Sequence, residues 1–261
     1  VPLRADPDHD GMSLLCAPDG EVLARLRLRD DDGEQVAAGV TPVGRSLVPV
    51  VAQARLDLAG LRLDTPDDDL VAVLLADGLV LERASTTLRH DLVGLPEPAA
   101  LPAGWSWLHA GWDEDLARAL EAAYAPGHPD GRWTPADTEA VREMVEQGRP
   151  VPALVPASAR VVGPDGRSAG HVLTAGPVPW TEDECGWVLN LAVAPWSQGR
   201  GLGRALLDRA LHGTLQAGLP TLDLSVVDGG PARRMYDAVK SADVVYRARS
   251  HRVICAGWVR R

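Results

Sequence analysis

Phenylalanine is absent from this 261-residue chain, and Lys240 is the one lysine among its 26 basic residues. Both biases read as coding composition rather than function. Three cysteines, Cys16, Cys185 and Cys255, are odd in number and far apart, with no CxxC or Cys/His cluster. A disulfide framework and a zinc site are therefore not expected, and buried free thiols without a metal are. No apolar run approaches the roughly 18 residues of a membrane-spanning helix. The segment Val1 to Gly11 carries Arg4, Asp6, Asp8, His9 and Asp10 and lacks an apolar signal core, so a cytoplasmic protein with no membrane partner is expected. Positive charge is scarce as well. A formal net charge of -10 argues against a nucleic-acid partner, whose phosphates need clustered Lys and Arg, and an anionic ligand would need a local exception.

What the chain does contain is ordinary for a globular protein, with 46% hydrophobic and 24% charged residues. Its length fits one large or two small domains. Two segments share a layout. Leu14 to Gly20 reads as a strand running into a Pro-Asp-Gly turn, followed by an alternating strand from Val22 to Arg29; Arg160 to Gly166 repeats strand and turn, followed by a strand around Ala169 to Ala175. Each copy then has a strand ending in Val-x-Pro and an amphipathic helix, Leu47 to Ala59 and Gly203 to Ala217. A further strand, a helix and a pair of strands follow in both: Leu61 to Asp64, Asp67 to Ala76 and Leu79 to Asp91, then Thr221 to Val226, Pro231 to Ser241 and Val244 to Gly257.

The Pro- and Ala-rich stretch 95–104 between the copies suits a semi-rigid linker, which gives domains 1–94 and 105–261. After it come two helices that the first copy lacks. One spans Asp113 to Tyr124; the other starts at Thr134, with Pro135 at its first position and Asp137 completing a capping-box pattern. Strands alternating with helices, and antiparallel hairpins at each end, give an α+β class with a largely antiparallel mixed sheet flanked by helices.

The most informative segment is the buried strand ending Leu189-Asn190-Leu191-Ala192-Val193-Ala194-Pro195, followed by Gln198-Gly199-Arg200-Gly201-Leu202-Gly203-Arg204 and a helix. A glycine-rich turn that opens a helix can hold a pyrophosphate: the first N–H groups have no intrahelical acceptor, and glycines let the backbone approach phosphate oxygens. Arg200 and Arg204 are the local positive charge. A dinucleotide site of the Rossmann type would sit after the first strand of a parallel unit, whereas this turn follows several hairpin strands. The Walker Gly-Lys-Ser/Thr is missing.

Gln198-x-x-Gly201-x-Gly203 resembles the signature of the GCN5-related N-acetyltransferase (GNAT) family, Gln/Arg-x-x-Gly-x-Gly/Ala after a strand. Leu191 to Pro195 resembles the strand before that loop, and Pro231 to Tyr236 the next helix; the likeness covers about Trp105 to Gly257. It implies acetyl-coenzyme A as cosubstrate. The backbone at Leu191, Ala192 and Val193 would pair with pantetheine, the amides from Gln198 through Gly199, Arg200, Gly201, Leu202 and Gly203 to Arg204 would hold the pyrophosphate, and Tyr236 would sit near the sulfur. Two departures stand out. Gly230 replaces an asparagine that often touches coenzyme A, and neither Trp187 nor Ser225, where members place a glutamate base, is acidic. The first copy, Met12 to Asp91, keeps only Gly44-Arg45 of the loop and no counterpart of Tyr236, so it reads as a truncated, degenerate copy that packs against the active one.

The chemistry implied is attack of an uncharged primary amine on a thioester. The Val193 N–H is the family-derived oxyanion donor. Tyr236 is the candidate to protonate the departing sulfur, a transfer feasible within a closed complex with the phenol's ordinary pKa near 10 and the thiol's near 8.5, and a core tyrosine is the bland alternative. The base is open among Glu182, Asp183 and Glu184, Asn190 or Ser225 through water, and His171, which in an alternating strand reads first as a structural histidine. The loop bearing Tyr124, His128, Asp130 and Trp133 lies where relatives bind the acceptor, and suits a polar or cationic small molecule. An N-acyltransferase acting on a small-molecule amine is therefore expected, with room for a homo-oligomer; a non-catalytic acyl-coenzyme A sensor is the rival.

Overall fold

The computed structural model describes residues 3–31, 33–179, 181, 183–228, 230–239 and 247–256. The chain divides into two compact units, Val1–Thr86 with Ala248–Arg261, and Thr87–Arg247.

The first unit begins with β1 (Arg4–Ala5), β2 (Ser13–Cys16), β3 (Val22–Asp31) and β4 (Glu34–Pro42), each antiparallel to the one before it. Helix α1 (Leu47–Asp57) then crosses to β5 (Arg62–Thr65), which pairs in parallel with β4. Helix α2 (Asp68–Ala76) starts on Asp67, whose carboxylate accepts the Leu70 N–H at 2.8 Å, the usual satisfaction of an orphan first-turn donor. Leu15, Leu26, Val40, Leu58, Leu63, Leu70 and Leu74 form the core of this unit. Where a pair of strands was expected after α2 there is one, β6 (Val80–His90), because no glycine, proline or asparagine interrupts it. The division between the units falls inside β6.

In the second unit, β7 (Ser106–His109) is followed by α3 (Glu114–Ala123) and α4 (Pro135–Gln147). Thr134 and Asp137 close the expected capping box: the Asp137 N–H donates to the Thr134 hydroxyl at 3.2 Å and the Thr134 N–H to the Asp137 carboxylate at 2.7 Å. Then come β8 (Ala159–Val162), β9 (Ser168–Ala175), β10 (Cys185–Val193), α5 (Leu202–Gln216), β11 (Thr221–Val227) and α6 (Pro231–Val239). The strands lie in the order β7-β8-β9-β10-β11, antiparallel except for the parallel pair β10/β11. Asp113 caps α3 through the Leu116 N–H and also meets Arg160 and Ser168, which fastens α3 to β8 and β9. The last strand, β12 (Arg247–Ala256), joins the first unit by pairing with β5. Each unit is thus a mixed α+β arrangement in which antiparallel pairing dominates.

The stretch 95–104 is not a free spacer. Leu95 and Leu101 pack against the core of the second unit, the Ala99 N–H donates to Asp208 on α5 at 3.0 Å, and His212 Nε2 donates to the Pro96 carbonyl at 2.9 Å. Its prolines stiffen a strap already held by burial. Cys16 and Cys185 are buried free thiols; the Cys255 side chain lies outside the described residues, as do Glu182 and the expected strand residues 244–246 and 257. No helix among the described residues is long and apolar enough to cross a membrane.

Candidate active site

The site starts with a disagreement between two strands. β10 pairs with β11 only from Cys185/Thr221 to Val188/Leu224 among the described residues, yet it runs on to Val193 paired with β9, with a bulge between Val188 and Asn190. Gly170 on β9 permits this course, since a Cβ there would stand 2.4 Å from the Ala192 carbonyl oxygen. Past Val188, β10 therefore presents an open backbone edge. The Ala194 N–H donates to Ala169 on the β9 side at 2.7 Å, so strand alternation turns the N–H and C=O of Val193 the other way, into the gap. There the Gln198 amide donates to the Val193 carbonyl at 2.9 Å.

After β10 a single 3₁₀ turn, Pro195–Ser197, leads to Gly199 and Gly201, with φ of +74° and +81°. Both lie in the left-handed region, and a Cβ at either would meet nothing within 4 Å, so the space over them is open. Gly201 is the N-cap of α5 and offers no side-chain acceptor, which leaves the first N–H groups of the helix aimed at that space. A cradle of this kind fits a pyrophosphate. Gly203 is helical and lines the same space, and a Cβ on it would lie 2.9 Å from Met235 Sδ, so its bareness also lets α6 pack on α5.

Cradle and open edge border one cavity of roughly 400 Å³. Leu191, Ala192 and Val193 form one wall, Gln198 to Arg204 without Arg200 another, Ala232 and Met235 of α6 a third, and Ala123, Tyr124, His128 and Asp130 the end. Arg204 lines the cavity while its Nε donates to the buried Asp208 carboxylate at 2.8 Å, which leaves its terminal nitrogens outside that bond.

At that end the polar groups are connected. His171 Nε2 lies 2.6 Å from Asn190 Oδ1, and Asn190 Nδ2 donates to the Tyr124 hydroxyl at 3.0 Å. His171 is 2% exposed, and burial lowers its pKa to about 4. Burial is also the main cause, with the Asp130 charge second, that pushes the Tyr124 phenol up to about 12. Trp133 tilts on the Tyr124 ring at 5.3 Å and His128 meets its edge at 4.8 Å. Trp133 serves this clamp rather than the cavity, since its indole N–H is spent on Thr138 at 2.9 Å.

Other residues expected at the site lie elsewhere. Arg200 borders a separate concavity with Trp196 and Arg167. Ser225 is exposed on β11, and Gly230, buried before α6, does not line the cavity. Tyr236 is 5% exposed and packs in the core, one residue beyond the Met235 that forms the wall. Glu184 is exposed just before β10, about 30 Å along the strand from Val193, and Asp183 pairs with Arg89. Neither acid reaches the cavity. Ala232 and Met235, three apart on one face of α6, are lining residues that sequence reasoning missed; their helical spacing was the available signal.

The profile of the Acetyltransferase (GNAT) family matches residues 117–239. A mycothiol acetyltransferase of Actinosynnema mirum is 30% identical over 94% of this chain and 87% of its own length. The chain belongs to the GNAT acetyltransferase family. The family match contains every residue that lines the cavity. A mycothiol acetyltransferase of Cellulomonas flavigena is 32% identical over 78% of this chain, and the first four curated relatives are matched over 55% to 62% of their length. Among solved structures, a GCN5-related N-acetyltransferase of Sphaerobacter thermophilus superposes with a TM-score of 0.67 at 17% identity, covering 94% of this chain and 79% of that one, a likeness of fold.

The buried His171 makes stability depend on pH. The folded chain keeps the imidazole neutral down to about pH 4, whereas the unfolded chain protonates it near 6.5. The unfolded state therefore binds the extra proton between these values, and stability present above pH 6.5 is lost as pH falls toward 4, by about 3 kcal/mol. His90, also lowered by burial, adds in the same direction. Urea midpoints of wild type and His171→Gln should thus converge as pH is lowered from 7 to 4.5. An equal gap at both pH values would remove His171 from the acid response.

Proposed function

We propose that the second unit transfers an acetyl or short acyl group from coenzyme A to a primary amine of a small molecule. The observation that carries this reading is the joining of a pyrophosphate-type cradle and an open strand edge in a single cavity. The relatives named mycothiol acetyltransferase support a small-molecule acceptor.

Acetyl-coenzyme A would supply a thioester carbonyl open to attack. Gln198 to Arg204 would hold its diphosphate, and Leu191 to Val193 its pantetheine amides as a strand would. The Val193 N–H, turned into the gap, would receive the negative charge that develops on the carbonyl oxygen. Tyr236 is our assigned proton donor to the sulfur. The proton that the amine loses needs an acceptor other than Glu184. Asp130 is the one carboxylate lining the cavity among the described residues, with its Oδ2 3.7 Å from His128 Nδ1, and it is the base we assign.

We infer further that the first unit is a degenerate copy. Its order β2-β3-β4-α1-β5-α2 repeats β8-β9-β10-α5-β11-α6, including one parallel pair, β4/β5 against β10/β11. The turn between strand and helix is cut to residues 43–46, against 194–201 in the second unit, and Gly44 does not take a positive φ.

Calorimetry and thiol release test both points. One acetyl-coenzyme A should bind per chain, and a panel of amines, with hydrolysis subtracted, should include acceptors that release thiol. Two equal sites would overturn the degenerate copy. Tight binding with no transfer to any amine would replace the enzyme by an acyl-coenzyme A sensor, a reading favoured by the lack of a carboxylate at Trp187 and Ser225.

A further inference from the structure

His171 is a buried titratable group with no part in the acyl transfer, and hydrogen bonds join it to a residue that lines the cavity. The hydrogen bonds His171 Nε2 to Asn190 Oδ1 and Asn190 Nδ2 to the Tyr124 hydroxyl run in one direction. Asn190 Oδ1 can only accept, so His171 carries its proton on Nε2; the Asn190 amide nitrogen can only donate, so it occupies a lone pair of the Tyr124 oxygen. The Tyr124 proton must then point away from Asn190. The residue lines the end of the cavity, with its ring held between His128 and Trp133. A ring clamped on both sides and a hydroxyl pinned by a buried amide lose little freedom on meeting a ligand.

We propose that Tyr124 is a fixed hydrogen-bond donor that selects acceptor amines carrying a neutral oxygen, hydroxyl or amide carbonyl, over apolar amines of the same shape. This rests on the acyltransfer reading and adds the acceptor's chemistry to it. Two groups at the same end divide the work. The Asp130 carboxylate attracts the ammonium form of the acceptor, and it is close enough for its charge to act on the Tyr124 phenol. Tyr124 presents a proton that only an oxygen, or another lone pair, can use. A cationic group beside Tyr124 would meet that proton head-on, so a diamine is disfavoured at the same position. Burial keeps both ends of the chain uncharged through neutral pH, which holds its direction constant. An apolar acceptor of the same shape would leave the Tyr124 hydroxyl unsatisfied, the situation in which polar sites discriminate most strongly.

The test uses isosteric amines on the full chain: 1-amino-2-propanol against isobutylamine, and alaninamide against 3-methyl-2-butylamine. Both kcat/KM and equilibrium binding by calorimetry are read. Wild type should favour the oxygen-bearing member of each pair, and Tyr124→Phe should reduce that preference about tenfold or more, chiefly through KM and binding. Asn190→Asp is the second variant. It keeps the tyrosine hydroxyl but turns its proton toward the new carboxylate, so the preference should fall as in Tyr124→Phe. A merely structural role would lower the melting temperature in both variants and leave the preference as in wild type; that result, or a wild type with no preference, overturns the donor. Absence of thiol release with every amine would instead overturn the acyltransfer reading, and the binding preference would still decide the donor.

Discussion

Gly201→Val should remove measurable acetyl-coenzyme A binding while the chain stays folded. Gly201 sits at φ +81° as the N-cap of α5, where a β-branched residue is strained by about 1–3 kcal/mol. That is a fraction of the roughly 5–15 kcal/mol of a typical domain, and the position is exposed, so the melting temperature should drop by a few degrees without loss of the transition. The space over Gly201 holds no protein atom within 4 Å of a built Cβ. A side chain there therefore collides with a ligand rather than with the chain, and it also pulls the turn away from the left-handed conformation that aims the helix N–H groups. A hundredfold or greater weakening in calorimetry is expected, since several charge-assisted hydrogen bonds are lost together. Gly203→Val gives the contrast. Its Cβ would press on Met235 Sδ, so it should lose melting temperature along with affinity by disturbing the packing of α6. Unchanged affinity in Gly201→Val would take the turn out of the binding site.

The parts of this site that could be read from the sequence are those whose physics is local. The cradle depends on glycines at fixed offsets before a helix, and Gly199 and Gly201 take the left-handed angles that such a pattern anticipates. The capping box at Thr134 and Asp137 and the cap at Asp113 are likewise contained in a few consecutive residues. What the sequence could not show was set by distance along the chain. The His171, Asn190 and Tyr124 chain joins residues 19 and 66 positions apart, and the strand register that sets Asn190 opposite Leu173 and Ala192 opposite His171 puts Asn190 and His171 on one face. Glu184 was attractive as an acid just before the motif strand, yet a strand carries its two ends far apart, and proximity in sequence to Val193 was no proximity in space. The stretch 95–104 has the composition of a linker because proline and alanine are common in extended segments; that Leu95 and Leu101, half-buried, pack against the core of the second unit depends on residues far along the chain.

Tyr236→Phe should lower turnover by about 10²- to 10⁴-fold, with a much smaller change in acetyl-coenzyme A affinity. The substitution keeps the ring that packs in the core beside Leu88, Leu206 and Leu224 and removes the hydroxyl alone. Tyr236 follows Met235 on α6; Met235 lines the cavity, while the Tyr236 ring packs in the core. A phenol there is a stronger proton source than water but a weaker acid than the thiol it would serve, so transfer to a departing thiolate is uphill by roughly 1.5 pKa units, a small cost beside the barrier to acyl transfer. The competing expectation is specific. Were Tyr236 only a core residue, loss of its hydroxyl would cost about 1 kcal/mol of stability and leave the turnover of the folded protein near wild type. Melting temperature and kcat must therefore be taken from the same preparation. The comparison variant is Tyr124→Phe, because Tyr124 itself lines the cavity. If Tyr236→Phe is folded and fully active while Tyr124→Phe loses kcat with every amine, oxygen-bearing or not, the proton comes from Tyr124 and the assignment to Tyr236 is wrong. If kcat falls with Tyr236→Phe for every amine and Tyr124→Phe changes only the preference among amines, the two tyrosines divide the reaction between them, one serving the sulfur and the other the acceptor.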